Sequence, residues 1–401
     1  MRNNNIKKRA LAGLAMAGLL ACASPAHAQE RERLPIEKLR SFTEVYGAVR
    51  QTYLESVEHD VLIRNAIEGL LKVDPYAAYL DPEEFRELQA APRGAVGGIG
   101  VEVTQRRGAL RVVSAIEGSP AARAGLQPQD ALLKIDELDV QEMRLSEAVK
   151  LLRGKPGSAM KLTIQRQGEP TPREVSVVRE VVRVQSVKSR LINADVAYVR
   201  VAQFQEATPE ILARELTRLF KVGEPKVLVL DLRSNPGGLL NACIAAAALF
   251  LPDNALILKT EGRASEANRE YRALAEDYLR AGQTDPRPLL PARARTIPMA
   301  VLVDRGTASG SEFVAAALRD NKRAVLAGEQ TFGRGAIQTI MPLGNNAAVK
   351  LTTARFRSPS GQQFEGIGLR PEIVVPNQLS AADFGSDADN VLRAALDKLI
   401  R

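Results

Sequence analysis

The sequence has few of the residues on which enzyme sites are most often built. Among 401 residues there are two Cys, two His and no Trp. Neither the HExxH zinc motif nor the P-loop pattern occurs, and no later stretch reaches the 18 uninterrupted apolar residues typical of a membrane helix. The glycines and prolines show no three-residue period, so a collagen-like chain is excluded.

The first 28 residues have the pattern of a secretion signal. A basic start is followed by a short apolar run, Ala10 to Ala21, and by the cleavage pattern Ala26-His27-Ala28. The sequence therefore predicts a signal peptide at 1–28 and a periplasmic or secreted protein cleaved near Ala28. An alternative is a lipoprotein cleavage box ending at Cys22, which would anchor the chain to a membrane.

Removal of that leader leaves one histidine, His59, and one cysteine, Cys243. One Cys excludes an internal disulfide, and one Cys with one His cannot form the usual zinc sites. No metal or cofactor is therefore expected. His59 lies in a charged helical stretch. This position favours a surface residue over the alternative, the base of a catalytic triad. Nucleophilic chemistry is expected to use a different base.

Composition and charge indicate an ordinary globular protein of two or three domains. Hydrophobic residues make up 45% and charged residues 25% of the chain. The formal net charge is +8, of which the leader carries four positive charges. Because the remaining basic residues are interleaved with acidic ones, a solvated surface is favoured over nucleic-acid binding.

Residues 29–92 read as a helical N-terminal segment. Asp81 is a candidate N-cap of a short helix that has Pro82 at its first position. Apolar residues recur at helical spacing in the first helix: Ile36, Leu39, Phe42, Val45, Tyr46 and Val49. Such short helices bury little surface alone. The segment is either a small cap or an association element, and the second interpretation predicts a homo-oligomer.

Residues 93–182 change to glycine-rich loops and short β-like runs. The run Gly98-Ile99-Gly100-Val101 can present consecutive backbone N–H groups to a carboxylate, and the strand after it leaves an edge for a peptide. With the later segment from Gly118 to Leu126, this run resembles a PDZ domain of the circularly permuted bacterial type. The resemblance implies binding of peptide tails with free, apolar C-termini; a small β domain without a ligand is the alternative.

Residues 183–378 repeat a strand–turn–helix unit, which predicts a mainly parallel sheet. The strands are Lys226 to Leu232, Met299 to Asp304 and Ala324 to Ala327. Residues 261–295 read as an inserted cover outside the sheet. Residues 379–401 end in an amphipathic helix.

Two turns of this α/β region carry the candidate chemistry. Gly237 and Gly238 free backbone N–H groups at the start of a helix, where a developing oxyanion can be held. Ser309 and Ser311 lie at the mouth of the next helix. This pattern alone does not distinguish whether each serine is an N-cap of the helix or a nucleophile.

The motifs around these turns, taken with the preceding PDZ-like segment, resemble the carboxyl-terminal processing (tail-specific) serine proteases. The motifs are Gly306 to Glu312, Asp231 to Gly238 and Gly328 to Gln338. The resemblance implies an α/β multidomain chain with a helical N-terminal segment, a permuted PDZ β domain and an α/β protease core. It also implies an activating lipoprotein or adaptor as a further partner.

By residue match, the resemblance makes Ser309 the nucleophile of a Ser–Lys dyad. Gln338 orients the base. The N–H of Gly310, with one from Gly237 or Gly238, forms the oxyanion hole. Ser311 and Glu312 then belong to the helix start.

The chain departs from the family at the base, where Arg334 stands in place of Lys. A guanidinium stays protonated in proteins and is a poor proton acceptor. Lys322 and Lys350, the nearest lysines, do not match the motif. Two functions therefore remain: an endopeptidase that captures tails and cleaves them through Ser309, and a pseudoprotease that binds tails or a partner without cleavage.

Overall fold

The computed structural model describes residues 35–400 apart from 91–94, 107, 108, 142, 144, 184 and 380. The predicted leader, with Cys22 and Ala28, lies outside the described residues. The chain divides into one compact unit that ends at Asn65 and another that begins at Ala66. Among the described helices, none has the length and apolar character needed to cross a membrane.

Ten α-helices and nineteen strands make up the described chain. The helices are α1 Ile36–Thr52, α2 His59–Leu71, α3 Pro82–Ala90, α4 Pro120–Arg123, α5 Leu145–Leu152, α6 Thr208–Val222, α7 Leu240–Ala248, α8 Ala275–Tyr278, α9 Gly310–Asp320 and α10 Asn390–Leu399. The first strands are β1 Ala78–Leu80, β2 Ala95–Gly98, β3 Val101–Arg106, β4 Ala109–Ala115, β5 Ala131–Ile135, β6 Leu138–Asp139, β7 Ala159–Gln165, β8 Arg173–Val178 and β9 Glu180–Arg183. The later strands are β10 Val187–Ile192, β11 Val196–Val201, β12 Val227–Asp231, β13 Leu256–Gly262, β14 Arg269–Arg272, β15 Met299–Val303, β16 Val325–Gly328, β17 Ala336–Pro342, β18 Ala348–Arg357 and β19 Ile373–Val374.

The first unit contains α1 and the start of α2. No residue of α1 is buried, and its apolar stripe is exposed at Ile36, Leu39, Phe42 and Val45. His59 begins α2, where its Nδ1 contacts the hydroxyl of Tyr46. The histidine is exposed at the start of a helix, as expected for a surface residue.

The predicted cap at Asp81 is confirmed. Its Oδ1 accepts the N–H groups of Glu83 (3.0 Å) and Glu84 (2.9 Å), while Oε2 of Glu84 accepts the N–H of Asp81 at 2.8 Å. This reciprocal arrangement satisfies donors that the first helical turn cannot pair. Before this helix the chain forms β1, a strand that the helical interpretation of residues 29–92 did not include.

The PDZ-like segment folds as an antiparallel sheet of order β3-β4-β5-β7-β8, with β6 paired to β5. Its core is built from inward-facing aliphatic side chains with no exposure: Leu110, Val112, Leu132, Leu162 and Ile164. The helix α5 packs beside β3. The edge of β3 and the face of α5 are thereby placed as two walls of a groove.

The protease-like segment is built on a six-stranded sheet of order β10-β11-β12-β15-β16-β19. All pairs are parallel except β10 with β11, which confirms the mainly parallel sheet. Every residue of β12 and β15 is buried. One face packs on α6, α7 and α9 and the other on α10, so continuous apolar strands are required here.

A second sheet, of order β1-β18-β13-β14 with β17 added to β18, is antiparallel. It includes the end of β13 and all of β14, so the interpretation of residues 261–295 as a cover outside any sheet is wrong for residues 261, 262 and Arg269–Arg272. A short connection joins β13 to β14, and the antiparallel pairing of the two strands stabilises β14. This sheet carries β17, which begins two residues after Arg334.

Candidate active site

The turn between β15 and α9 holds Ser309 in a strained backbone conformation. Its φ and ψ are 54° and −116°, in a region that residues with a side chain rarely occupy. The residue caps α9 and is partly exposed. A serine held on a sharp strand-to-helix turn has its hydroxyl lifted away from the helix backbone, which suits a nucleophile.

The turn after β12 lies directly against this serine. A Cβ added to Gly237, whose φ is 100°, would lie 2.7 Å from the N of Gly310 and 3.2 Å from the Cβ of Ser309. Only a glycine allows the two turns to approach so closely. The strands β12 and β15 are parallel neighbours, so their carboxyl ends deliver both turns to one edge of the sheet.

The two glycines of this turn differ in what their N–H groups bind. The N–H of Gly237 donates to Oδ1 of Asn235 at 2.9 Å. By contrast, the N–H groups of Gly238 and Gly310 donate to no acceptor among the described residues. Of the two glycines between which the sequence could not choose, Gly238 therefore has the amide available for an oxyanion.

A buried ionic network holds the Asp231–Gly238 turn in place. Arg233 is fully buried between Asp231 and Asp389, at 2.5 Å from an oxygen of each. Burial alone would raise the pKa of Asp231, but the charges of Arg233 and Arg200 outweigh it and the pKa is lowered. The carboxylate is therefore ionised, and paired buried charges of this kind fix a loop in one arrangement.

Arg200 extends that network to the PDZ segment. Its Nη1 donates to the carbonyl of Arg233 at 2.8 Å and its Nε to Oε2 of Glu117 at 2.8 Å. Glu117 lies between β4 and α4. One arginine thus connects the PDZ segment to the turn that carries Gly238.

Glu312 joins the turn that carries Ser309 to the segment before β17. The carboxylate is fully buried. Its Oε2 accepts the N–H groups of Ser309 (2.8 Å) and Arg334 (2.9 Å), and its Oε1 accepts the N–H of Gly333 (2.8 Å) and the hydroxyl of Thr331. Sequence reasoning placed Glu312 at the helix start and missed this second role, since the partners lie 19 to 22 residues later.

Replacing Glu312 is expected to separate these two segments. A Glu312→Gln amide would face two of the four donors with its own NH₂, and each unpaired buried donor costs about 1–3 kcal/mol. We expect peptidase activity to fall by about tenfold or more, while Ser311→Ala has little effect because the Ser311 hydroxyl is buried without a partner among the described residues. Comparable losses in both variants would contradict this role.

The same carboxylate predicts an acid limit of activity. Burial raises the pKa of Glu312, an effect that its four donors reduce but do not cancel. As the pH falls through that raised pKa, the protonated carboxyl loses acceptors for the N–H groups of Ser309 and Arg334. Activity should therefore fall at a higher pH than an ordinary glutamate would give, a shift that a pH–rate profile measures.

The structure brings the main chain of Arg334 to the site but directs its side chain elsewhere. Nη1 of Arg334 pairs with the carboxylate of Glu102 on β3. Gln338 is exposed, and its Nε2 donates to the carbonyl of Tyr76 at 3.1 Å. Within the described part of the chain, no hydrogen bond joins either side chain to Ser309. The three residues of the expected Ser–base–Gln set are therefore not assembled through their side chains.

Lys350 on β18 is a lysine whose pKa is lowered, and Arg334 and Glu102 both act on it. Burial, followed by the charge of Arg334, lowers the pKa of the Lys350 amine, and the carboxylates of Glu102 and Asp74 oppose the shift. A strand-bound lysine with a lowered pKa is closer to the neutral form than a surface lysine.

A cavity of about 950 Å³ connects the PDZ segment with the glycine turn. All four residues of the predicted carboxylate loop, Gly98 to Val101, line it, as do Pro236 and Gly238. The walls from β3 and α5 are mainly apolar. The predicted carboxylate loop and the unpaired N–H of Gly238 thus face the same cavity.

Known families match the segments that form this site. The profile of peptidase family S41 matches residues 195–375, a PDZ domain profile matches 111–166, and the profile of the activating protease CtpB N-terminal domain matches 16–84. The carboxy-terminal-processing protease of Bartonella bacilliformis is 36% identical over 381 residues, covering 94% of this chain and 84% of that protein. The chain belongs to the carboxyl-terminal processing proteases.

Further carboxyl-terminal processing proteases are similar to this chain over most of its length. The carboxy-terminal processing protease CtpA of Bacillus subtilis is 31% identical over 338 residues, covering 84% of this chain and 68% of that protein. Among solved structures, the photosystem II D1 C-terminal processing protease superposes with a TM-score of 0.69 at 29% identity, covering 84% of this chain and 87% of the other. The resemblance read from the motifs is therefore confirmed at the level of family and fold.

Proposed function

We propose that this carboxyl-terminal processing protease uses Ser309 as its nucleophile and the N–H groups of Gly310 and Gly238 as its oxyanion hole. One observation carries the proposal: a serine in a strained turn lies against a glycine turn, and the two turns together offer two unpaired amides. Attack by the Ser309 hydroxyl on a peptide carbonyl moves negative charge to the carbonyl oxygen, which such preorganised donors stabilise.

Within the described chain, this site has no evident base to accept the proton of Ser309. As Ser309 forms its bond to the carbonyl carbon, its proton must pass to a base and then to the leaving amine. A guanidinium is a poor proton acceptor, and that of Arg334 is paired with the carboxylate of Glu102, so Arg334 does not supply that base. We therefore propose a slow endopeptidase in which Ser309, the oxyanion donors and the peptide groove are intact and the acceptor is poor.

A second candidate function is a pseudoprotease that binds tails or a partner without cleavage. The Arg334–Glu102 pair favours it, because the residue at the base position is tied to the PDZ segment. Cleavage of an unfolded substrate with an apolar C-terminus by the purified protein, with Ser309→Ala as control, separates the two functions. Ser309-dependent cleavage supports the endopeptidase, and binding without cleavage supports the pseudoprotease.

The proposed substrates are protein tails with a free carboxylate and an apolar last residue. The carboxylate would bind the amides of the Gly98–Val101 loop, and the side chain would enter the apolar space between β3 and α5. We expect a free-acid peptide to bind at least about tenfold more tightly than its amidated form, since charge-assisted hydrogen bonds to a carboxylate are lost. Titration of both peptides measures this difference, and equal affinities would exclude the proposed mode.

We further propose that the chain assembles through its N-terminal helix, with a second copy of this chain as the partner. The stripe of Ile36, Leu39, Phe42 and Val45 is exposed on a helix that buries none of its residues. Sedimentation should give a mass above that of one chain at micromolar concentration, and Phe42→Glu should reduce it to the monomer. A monomeric wild type would exclude this assembly.

The proposed location is the periplasm or the cell exterior, after cleavage near Ala28, with a lipoprotein anchored through Cys22 as the alternative. The match to the activating CtpB N-terminal domain supports a role for an activating lipoprotein or adaptor partner. The N-terminal sequence and intact mass of the native protein distinguish the two processing routes.

A further inference from the structure

We propose that Asp304 is a positioning residue that sets the separation of the two oxyanion donors. The inference rests on the proposed function, in which the N–H groups of Gly238 and Gly310 stabilise the oxyanion. Asp304 directly follows β15 and is buried. It does not line the cavity, so it would act only through the two turns that it joins.

The carboxylate of Asp304 binds both turns. Its Oδ1 accepts the N–H of Ser234, in the turn after β12, at 2.7 Å, and the N–H of Gly306, in the turn before α9, at 2.9 Å. Its Oδ2 accepts the hydroxyl of Ser234 at 3.0 Å. Asp304 forms no ion pair with any residue that the structure describes. Its contribution is therefore that of an acceptor placed between neutral donors, and not that of a paired charge.

The backbone of Ser234 shows why the turn after β12 needs this tie. Its φ is 55°, a conformation that residues with a side chain rarely adopt unless their surroundings hold them there. The two turns also touch at this point, because a Cβ added to Gly306 would lie 2.9 Å from the Cα of Ser234. Asp304 thus holds a strained turn directly against the turn that carries Ser309.

The separation of the two turns matters because two amides stabilise an oxyanion only when both reach the same oxygen. Gly238 and Gly310 belong to different turns, so links between the turns determine the distance between their N–H groups. A second side chain, Thr307, supports the link, since its hydroxyl donates to the carbonyl of Leu232 at 2.8 Å and accepts the N–H of Asp304 at 2.9 Å. Without the carboxylate, we expect the turn after β12 to relax and Gly238 to move away from Gly310.

The test uses the full-length protein and two reactions. One is cleavage of an unfolded substrate in the Arg334→Lys background, and the other is modification of Ser309 by a peptide phosphonate in the otherwise wild-type chain. Asp304→Ala should reduce kcat and the modification rate by about tenfold or more, with KM and the affinity for a free-acid peptide unchanged.

Two further variants of Asp304 separate geometry from charge. Asp304→Asn should retain most of both rates, because its amide oxygen can accept the same N–H groups while its NH₂ donates to the hydroxyl of Ser234. Asp304→Glu keeps the charge but adds a methylene group between two packed turns, so it should slow both reactions. If Asp304→Ala does not fold, Asp304→Glu decides the test.

Asp277→Ala is the matched control. Asp277 lies in α8 and is also a largely buried carboxylate that holds a main-chain amide, since its Oδ2 accepts the N–H of Arg272 at 2.7 Å. Neither of the two turns takes part in these contacts. The control should lower the melting temperature without reducing either rate.

The outcomes separate this inference from the proposed function. If Ser309 of the parent proteins neither cleaves nor reacts, the proposed nucleophile fails and the role of Asp304 fails with it. If the parents react and the folded Asp304→Ala or Asp304→Glu variant is as fast as its parent, the Asp304 inference alone is overturned. Equal slowing by Asp304→Asn and Asp304→Ala would also overturn it, as would a matching loss of peptide affinity, because the defect would then not be one of donor spacing.

Discussion

An Arg334→Lys variant should cleave an unfolded substrate at least about tenfold faster than the wild type, the scale expected of a positioned general base. The lysine would follow the same main chain, which Glu312 fixes through the N–H of Arg334. Unlike a guanidinium, an amine can be partly neutral when burial disfavours its charge. The proton of Ser309 would then have an acceptor.

The measurement is the rate of cleavage of one substrate by wild type, Arg334→Lys, and Arg334→Lys with Ser309→Ala, which should be inactive. Arg305→Lys is a matched control, because Arg305 is an exposed arginine on the same edge of the sheet, paired with Glu329 at 3.2 Å. It should leave the rate unchanged. Robust wild-type cleavage that needs Ser309 and does not improve with Lys would exclude our account of Arg334. Lys350 would then be the first candidate acceptor.

The second large effect is expected at Gly237. In the Arg334→Lys background, Gly237→Ala should reduce the rate of cleavage by about a hundredfold or more, the effect expected when one oxyanion donor is lost. The added Cβ would lie 2.7 Å from the N of Gly310, where it would cover that amide and push the two turns apart. The positive φ of Gly237 adds strain to the same substitution.

Gly344→Ala is the control for this experiment, because no atom lies within 4 Å of the Cβ it would add. It should retain full activity. A Gly237→Ala variant that binds the peptide as tightly as its parent and has lost its rate would agree with a defect at the oxyanion hole. Undiminished cleavage by this variant would show that the carbonyl oxygen is held elsewhere.

Short-range patterns in the sequence were sufficient to predict much of this molecule. The apolar runs at Lys226 to Leu232 and at Met299 to Asp304 predicted strands of a mainly parallel sheet, since both faces of such a sheet are buried. Asp81 before Pro82 predicted a helix start. In each case the residues that determine the local structure are close together in the chain.

Features that depend on distant partners were not predictable in this way. The antiparallel sheet pairs β1 with β18, so Tyr79 lies opposite Val349, and no local pattern specifies that pairing. The contact between Arg334 and Glu102 joins residues 232 positions apart. The choice of Gly238 over Gly237 depends on the side chain of Asn235, which occupies one amide and leaves the other.

The central claim is that Ser309 is a competent nucleophile whose turnover is restricted by Arg334. Its most direct test is the rate of covalent modification by a peptide phosphonate that reacts with activated serines, followed by intact mass and peptide mapping. The account predicts a single adduct on Ser309 that forms at least about tenfold faster in Arg334→Lys than in wild type, and none in Ser309→Ala. An adduct on another residue, or equal rates in wild type and Arg334→Lys, would contradict it.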